Sequence, residues 1–253
     1  MQLDGKTVPA FTADESRLFK SRLDEYNATV AVLKLRDLPI IGVSGYSSSN
    51  FIYNLMASPE LPELFAFIEI LDFQYDDLSA LDGLIISEYD HEITEAKAHV
   101  LRDFYDSGRP IIFGMDDLSA NWSGQVPTLI GPVFGITDPY DANLCGETIL
   151  NTDHPICNGI ESFYDDGLWC NDNDAFMLDG AEWLIRDATN NGLFVLANNG
   201  VARTIIMGET LYGIWDENLQ FNVNAVKWAM KGAYWLTAEP EIGTIVAGGS
   251  QTV

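Results

Sequence analysis

Apolar residues along this chain follow two periods. Four short runs are solid with Ile, Leu, Val and Phe: "PIIGVSGY" (39–46), "LFAFIEILDF" (64–73), "LDGLIISEYD" (81–90) and "RPIIFGMD" (109–116). Runs without polar alternation read as strands buried on both faces. Between them the period lengthens. "SSSNFIYNLMAS" (47–58) offers serine caps and a short helix, and "ITEAKAHVLRDFYDSG" (93–108) predicts a longer one. In the latter Ile93, Ala96, Val100 and Phe104 form the expected apolar face, Thr94 stands near the start, and Gly108 is a natural stop. Ahead of the first strand, residues 13–36 carry Leu18, Phe19, Leu23, Tyr26, Val30 and Leu33 at near-helical spacing. Asp14 is a plausible cap there, and Pro39 ends the pattern.

Further on, strand patterns return at 181–187, at "GLFVLANN" (192–199) and at "ARTIIMGE" (202–209). A last helix, "LQFNVNAVKWAMKG", sets Phe221, Ala225, Trp228 and Ala229 on its packing side and is expected to stop at Gly232. Buried strands alternating with helices predict an α/β class: a doubly wound, mostly parallel sheet with helices on both faces. Residues 118–180 fit neither period and read as an irregular insertion rich in Asp, Asn, Gly and Pro. The expected organisation is a helical N-terminal extension (1–37), an α/β domain (38–236) and a segment of different character (237–253).

Composition narrows what such a domain meets. The 253 residues are 47% hydrophobic and 11% aromatic, enough to fill a core. Thirteen basic against 38 acidic residues give a formal charge of -25. A surface so acidic repels phosphate backbones and anionic lipid, which argues against nucleic acid as a partner. It suits a calcium-rich or salty medium, or serves solubility alone. No run approaches the roughly 20 apolar residues of a membrane span, and the start "MQLDGKTVPAF" shows no signal peptide. Cys145, Cys157 and Cys170 could give one disulfide and a free thiol, or three buried thiols. They have no zinc spacing.

Four segments together resemble the class I glutamine-amidotransferase-like superfamily, and within it the ThuA-like branch: "LDGLIISEYD", "GRPIIFGMD", "NTDHPICNGI" (151–160), and "ARTIIMGETL" with "FNVNAVKWAMKG". The resemblance covers roughly residues 38–236 and implies a flavodoxin-like, amidotransferase-like sheet. The tail "WLTAEPEIGTIVAGGSQTV" (235–253) resembles the opening strands of Ig-like β-sandwich modules of bacterial surface and secreted proteins. That likeness implies a truncated Ig-like domain at 237–253, neighbouring domains of the same polypeptide as partners, and an extracellular or cell-surface location.

In that superfamily a Cys stands at the turn after the strand equivalent to 109–114, and a His-x-Glu on a late strand activates it. Here the turn holds Met115 and the late strand reads Met207-Gly208-Glu209. Thiol-based glutamine hydrolysis is therefore excluded. What remains at the expected mouth is acidic: Glu88, Asp90, Asp116, Asp117 and Glu209, with Tyr46, Met115 and His154 completing the ligand-pocket candidates. In an open parallel sheet the ligand crevice lies beyond the carboxyl ends of the strands. Converging carboxylates there could act as acid and base, hold a cation or bond sugar hydroxyls. The plainer alternative is that they cap helices or face water. His154 reads as a turn residue held by Pro155 as readily as a ligand. His91 could reach the mouth from a loop, and His99 lies on a helix. The segment "YDDGLWCNDNDAF" (164–176) offers Asp165, Asp166, Asp172 and Asp174 as a calcium loop without EF-hand spacing. "GYSSSNF" lacks the P-loop ending. The expectation is a non-catalytic module binding a ligand, carbohydrate among the candidates, or serving as a spacer. The rival is a ThuA-like hydrolase or sugar-modifying enzyme using Glu88, Asp116 or Glu209. No cofactor other than calcium is implied.

Overall fold

The computed structural model describes residues 2–3, 6–7, 38–45, 48–88, 92–115, 118–144, 148–163, 171–187, 193–207 and 218–234. After a two-residue pairing of β1 (Gln2–Leu3) with β2 (Lys6–Thr7), the main domain opens with β3 (Ile40–Gly45), α1 (Ser48–Ala57), α2 (Leu61–Leu64) and β4 (Ala66–Ile70). It continues through β5 (Gly83–Glu88), α3 (Glu95–Asp106), β6 (Ile111–Met115), α4 (Leu118–Asn121) and α5 (Val126–Phe134). Next come β7 (Ile136–Leu144), β8 (Thr148–Leu150), β9 (Asn171–Met177), β10 (Ala181–Asp187), β11 (Leu193–Asn199), β12 (Arg203–Met207) and α6 (Leu219–Tyr234).

Eight strands form one sheet in the order β4-β3-β5-β6-β12-β11-β10-β8. The first five are parallel to their neighbours; β11, β10 and β8 extend the sheet by antiparallel pairing. Taken in chain order, the five parallel strands stand second-first-third-fourth-fifth, the flavodoxin-like sequence of a doubly wound sheet.

Side chains alternate between two cores with the strand period of two. Ile85, Ile112, Ile205 and Met207 join Leu55 of α1 and Phe221, Val226 and Met230 of α6 on one face. Leu84, Ile86, Ile111, Phe113, Met115 and Ile206 join Leu101 and Phe104 of α3 and Ile130 and Phe134 of α5 on the other. Each fully buried side chain of this size contributes roughly 1.5–3 kcal/mol, so two-sided burial is what demands the unbroken apolar runs. Thr94 caps α3 as its position suggests, its Oγ1 accepting the Lys97 N–H at 3.2 Å, and Gly108 follows the helix at φ 82°.

Several expectations are corrected. The buried face of α3 is Ala98, Leu101, Phe104 and Tyr105, whereas Ala96 faces solvent and Val100 is half-buried. The α6 helix runs through Gly232 to Tyr234. The stretch 118–180 is not an irregular insertion throughout. It holds α5, whose Pro127 sits in the first turn and whose Pro132 is tolerated among buried Val126, Ile130, Val133 and Phe134. It also holds a separate antiparallel pair, β7 with β9. The helical pattern at 13–36 and the segment 237–253 lie outside the described residues. Among the described residues no helix is long and apolar enough to cross a membrane.

Candidate functional site

The order of the parallel strands reverses between β3 and β5, so the crevice of a doubly wound sheet falls beyond the carboxyl ends of these two. Register sets four residues side by side along that edge: Gly45 opposite Ser87, Ser87 opposite Gly114, and Gly114 opposite Met207. Ser87 shares the parity of Ile85 and so stands on the α1/α6 face, between two glycines that offer no side chain. Its side chain is fully buried, and its hydroxyl has no hydrogen-bond partner among the described residues. Gly45 adopts φ 103°, and a Cβ there would strike the carbonyl oxygen of Ser87. The close approach of β3 to β5 at this corner thus requires glycine.

Beside this row α1 begins. Buried Ser48, its first residue, donates from Oγ to Oε1 of Glu69 on β4 at 2.6 Å. On the opposite face Glu88 and Met115 are register partners. Met115 is fully buried in the core with Phe113 and Trp122, and Glu88 is 5% exposed. Trp122 packs on Phe113 with ring centroids 6.0 Å apart, and its buried indole N–H has no partner among the described residues.

The candidates from sequence divide accordingly. Glu88 and Met115 are brought together. Tyr46, Asp90, Asp116, Asp117 and Glu209 lie outside the described residues, as do His91, Asp165 and Asp166. His154 is placed elsewhere. Its ring meets Trp228 of α6 at 5.2 Å between centroids, and Arg203, the first residue of β12, donates to the Trp228 carbonyl at 2.8 Å. That is the amino end of β12, roughly 13 Å along the strand from Met207 at ~3.3 Å per residue. His154 Nδ1 accepts the Ile156 N–H at 3.2 Å and caps a 3-10 turn. From this turn the chain runs along α6: Asn224 donates to the carbonyls of Ile156 and Asn158, and Phe163 meets Phe221 at 5.1 Å. The "DHPI" segment and the "NAVKWA" helix are therefore structural partners.

Asp172 and Asp174 fall not in a loop but in β9, where Asp174 pairs with Tyr140. Among the described residues no three His, Cys, Asp or Glu side chains converge as a metal site. Cys157 is buried, its thiol donating to the Leu184 carbonyl at 3.6 Å, and burial pushes it up to about 11. Cys145 and Cys170 lie outside the described residues. His99 faces solvent on α3. A shallow depression of about 160 Å³ lies between Glu161 and the start of α6 at Asn218 and Gln220. It is smaller than the roughly 300 Å³ at which small-molecule sites begin.

Sequence reading missed Ser87, Gly45 and Gly114. The available signal was that three buried runs, "GVSGY", "LIISEY" and "IIFGMD", each carry a small residue (Gly45, Ser87, Gly114) at or just before the last position of the strand. Only register makes those ends neighbours.

Order, direction and layering define the class: a doubly wound α/β domain with an antiparallel extension. No protein-family profile matches the chain, and no curated protein does either. Among solved structures it is similar to the N-terminal domain of mmIFT52, at 10% identity and a TM-score of 0.49, covering 74% of this chain and 96% of that one. It is also similar to a ThuA-like protein from Parabacteroides merdae, at 10% identity and a TM-score of 0.48, covering 77% of this chain and 90% of that one.

Proposed function

We propose that this chain is a non-catalytic amidotransferase-like module of a larger secreted or cell-surface protein, binding a neutral, hydroxyl-rich ligand such as a carbohydrate at the carboxyl edge of the sheet. One observation carries the reading: the row Gly45–Ser87–Gly114, where a fully buried hydroxyl stands, without a partner among the described residues, between two positions that lack side chains. An unpaired buried polar group costs about 1–3 kcal/mol, and its retention at the switch point is accounted for if a ligand atom completes its hydrogen bond. The acidic character of the chain favours a neutral or cationic ligand over an anion. Met115 argues against covalent chemistry at the adjacent corner. In place of a nucleophile it presents a thioether sunk in the core.

Glu88 supports the rival, a hydrolase working by carboxylate acid–base chemistry. It is a buried carboxyl at the carboxyl end of β5, beside the switch point, a position suited to general acid–base work. Thermal shift against a panel of neutral saccharides tests the first reading. A saturable rise in Tm that Ser87→Ala abolishes is the expected result. A panel that shifts neither protein removes the module's ligand, and turnover that Glu88→Gln abolishes moves the assignment to the enzyme.

A further inference from the structure

β4 ends at Ile70, and the chain returns to β5 through a loop (71–77) and a 3-10 turn (Leu78–Ala80). Phe73, Leu78 and Leu81 are buried in the α3/α5 core and anchor this connection at three points. Its backbone is tied between them. Asp76 Oδ2 accepts the N–H groups of Leu71 and Asp72 at 3.0 and 3.1 Å, and Asp72 Oδ1 accepts that of Gln74 at 2.9 Å. The Asp72 carbonyl accepts the N–H groups of Tyr75 and Asp76 at 3.0 and 2.9 Å, and Asp77 Oδ1 holds the Ser79 N–H at 2.9 Å. Arg109 pins the turn that follows, donating to the carbonyls of Leu78 and Leu81 at 2.7 and 3.3 Å. The loop is therefore fixed by its own bonds. It folds back so that Asp76 returns to Leu71, which leaves Tyr75 beside that leucine.

What the loop presents to solvent is apolar. Leu71 and Tyr75 are 76% and 79% exposed, the two highest values among the large hydrophobic side chains of the described residues. One exposed apolar side chain is ordinary. Two on a single closed loop, with Phe73 between them turned inward, form a patch of the kind that partners cover. Tyrosine is enriched among the residues that carry binding energy at protein interfaces, and a loop already held in shape loses little further entropy on docking. The charge around the pair has one sign. Asp76 and Asp77 are exposed and Asp72 is half-buried, and no lysine or arginine stands between Arg36 and Lys97. Two cations do reach this connection, but Lys97 lies over the ring of Phe73 and Arg109 over that of Phe104. In a protein of charge -25 such a surface repels a second copy of the chain, an anionic lipid and a phosphate backbone, and attracts a basic surface.

We propose that the 71–77 loop is a docking knob for a basic protein partner, which would cover Leu71 and Tyr75 with apolar side chains and set Lys or Arg against Asp72, Asp76 and Asp77. This docking does not depend on the ligand reading above. Selection from a random peptide library displayed on phage tests it. The full chain is the bait, and the counter-selection uses the variant carrying Leu71→Ser and Tyr75→Ser together, whose charge is the same. Peptides that join Lys or Arg to aliphatic or aromatic residues should be enriched on the parent. Once synthesised, they should bind the double variant about tenfold or more weakly. Their hold on the parent should weaken as salt rises from roughly 0.05 to 0.5 M. Asp77→Asn, which keeps the oxygen that bonds the Ser79 N–H, should weaken them by a smaller factor. Both serines replace exposed side chains, so an unchanged Tm is expected; should it fall, Tyr75→Ser alone is read in the same way. A library that yields no peptide separating parent from variant overturns the proposal, as does an acidic consensus or binding that salt and Asp77→Asn leave intact. A neutral glycan whose binding the double variant loses also overturns it, because the loop then belongs to a saccharide site.

Discussion

The imidazole of His154 meets the indole of Trp228 edge-on, ring centroids 5.2 Å apart and planes inclined at 61°. The same imidazole holds the turn that follows it, and its protonation state decides whether the turn forms. Nδ1 must be unprotonated to accept the Ile156 N–H. Burial holds the imidazole below its ordinary value of 6.5; Glu182 works in the opposite sense and Arg203 reinforces the lowering. The unfolded chain therefore takes up a proton at a pH where the folded chain does not. Stability is full above the ordinary imidazole range and is lost as pH falls through it toward the folded value. The urea midpoint should drop between pH 7.5 and 5. His154→Asn, which keeps a capping acceptor, should remove that part of the slope while changing stability at pH 7.5 by no more than about 1 kcal/mol. Identical slopes in the two proteins would show that the turn does not titrate.

Ser87 and Gly45 give opposite expectations at one corner. Ser87→Ala removes a buried hydroxyl that has no partner among the described residues, so the unliganded protein should gain about 1 kcal/mol in chemical denaturation. A loss of that size instead would mean the hydroxyl is satisfied within the protein. Gly45→Ala adds a Cβ against the Ser87 carbonyl at φ 103°. It should cost more than about 2 kcal/mol, and a neutral result would contradict the close strand approach.

Met115→Cys puts a thiol where the resembling superfamily carries its nucleophile. The site is fully buried, and burial raises a thiol as it does for Cys157. The variant should lose about 1–2 kcal/mol for the missing volume. The new thiol should alkylate only in denaturant, and no glutaminase activity should arise. Rapid labelling of the native variant, beyond that of the parent, would place this position at the surface.

Thr204 secures the junction of two layers. Its hydroxyl donates to the Val133 carbonyl at 2.6 Å, and Asn198 Nδ2 reaches the same oxygen at 2.9 Å, so the end of α5 is held by β12 and β11 together. Thr204→Val preserves shape and removes one donor. The expected cost is about 1 kcal/mol, rising to more than 2 kcal/mol when Asn198→Ala leaves that oxygen with neither side-chain bond. Additive small losses in the double variant would show that the two bonds act independently.

Legibility in the sequence followed burial. The strands at 40–45, 83–88, 111–115 and 203–207 were readable because each is covered on both sides and admits little but apolar residues. The helix at 126–134 was hidden by two prolines. Tertiary burial of Val126, Ile130 and Phe134 outweighs what the prolines cost, one of them standing where a helix needs no N–H donor. The face of α3 was misjudged by part of a turn, because apolar residues on both flanks fit the period and only contact with α5 and the sheet selects 98, 101, 104 and 105. For the site, Glu88 and Met115 were legible as strand ends, whereas His154, though placed in a recognisable motif, belongs to the far end of β12.

The amino-acid order alone determined that this chain builds a two-faced parallel sheet, since continuous apolar runs separated by helices have few other ways to leave water. It also determined that residues 115–121, at and after the end of the β6 run, include no cysteine. Which strand ends become neighbours is a matter of register and strand order, set by contacts between residues tens of positions apart. Only the folded sheet places Ser87 between Gly45 and Gly114, sends His154 to the opposite end, and leaves β4 as an edge.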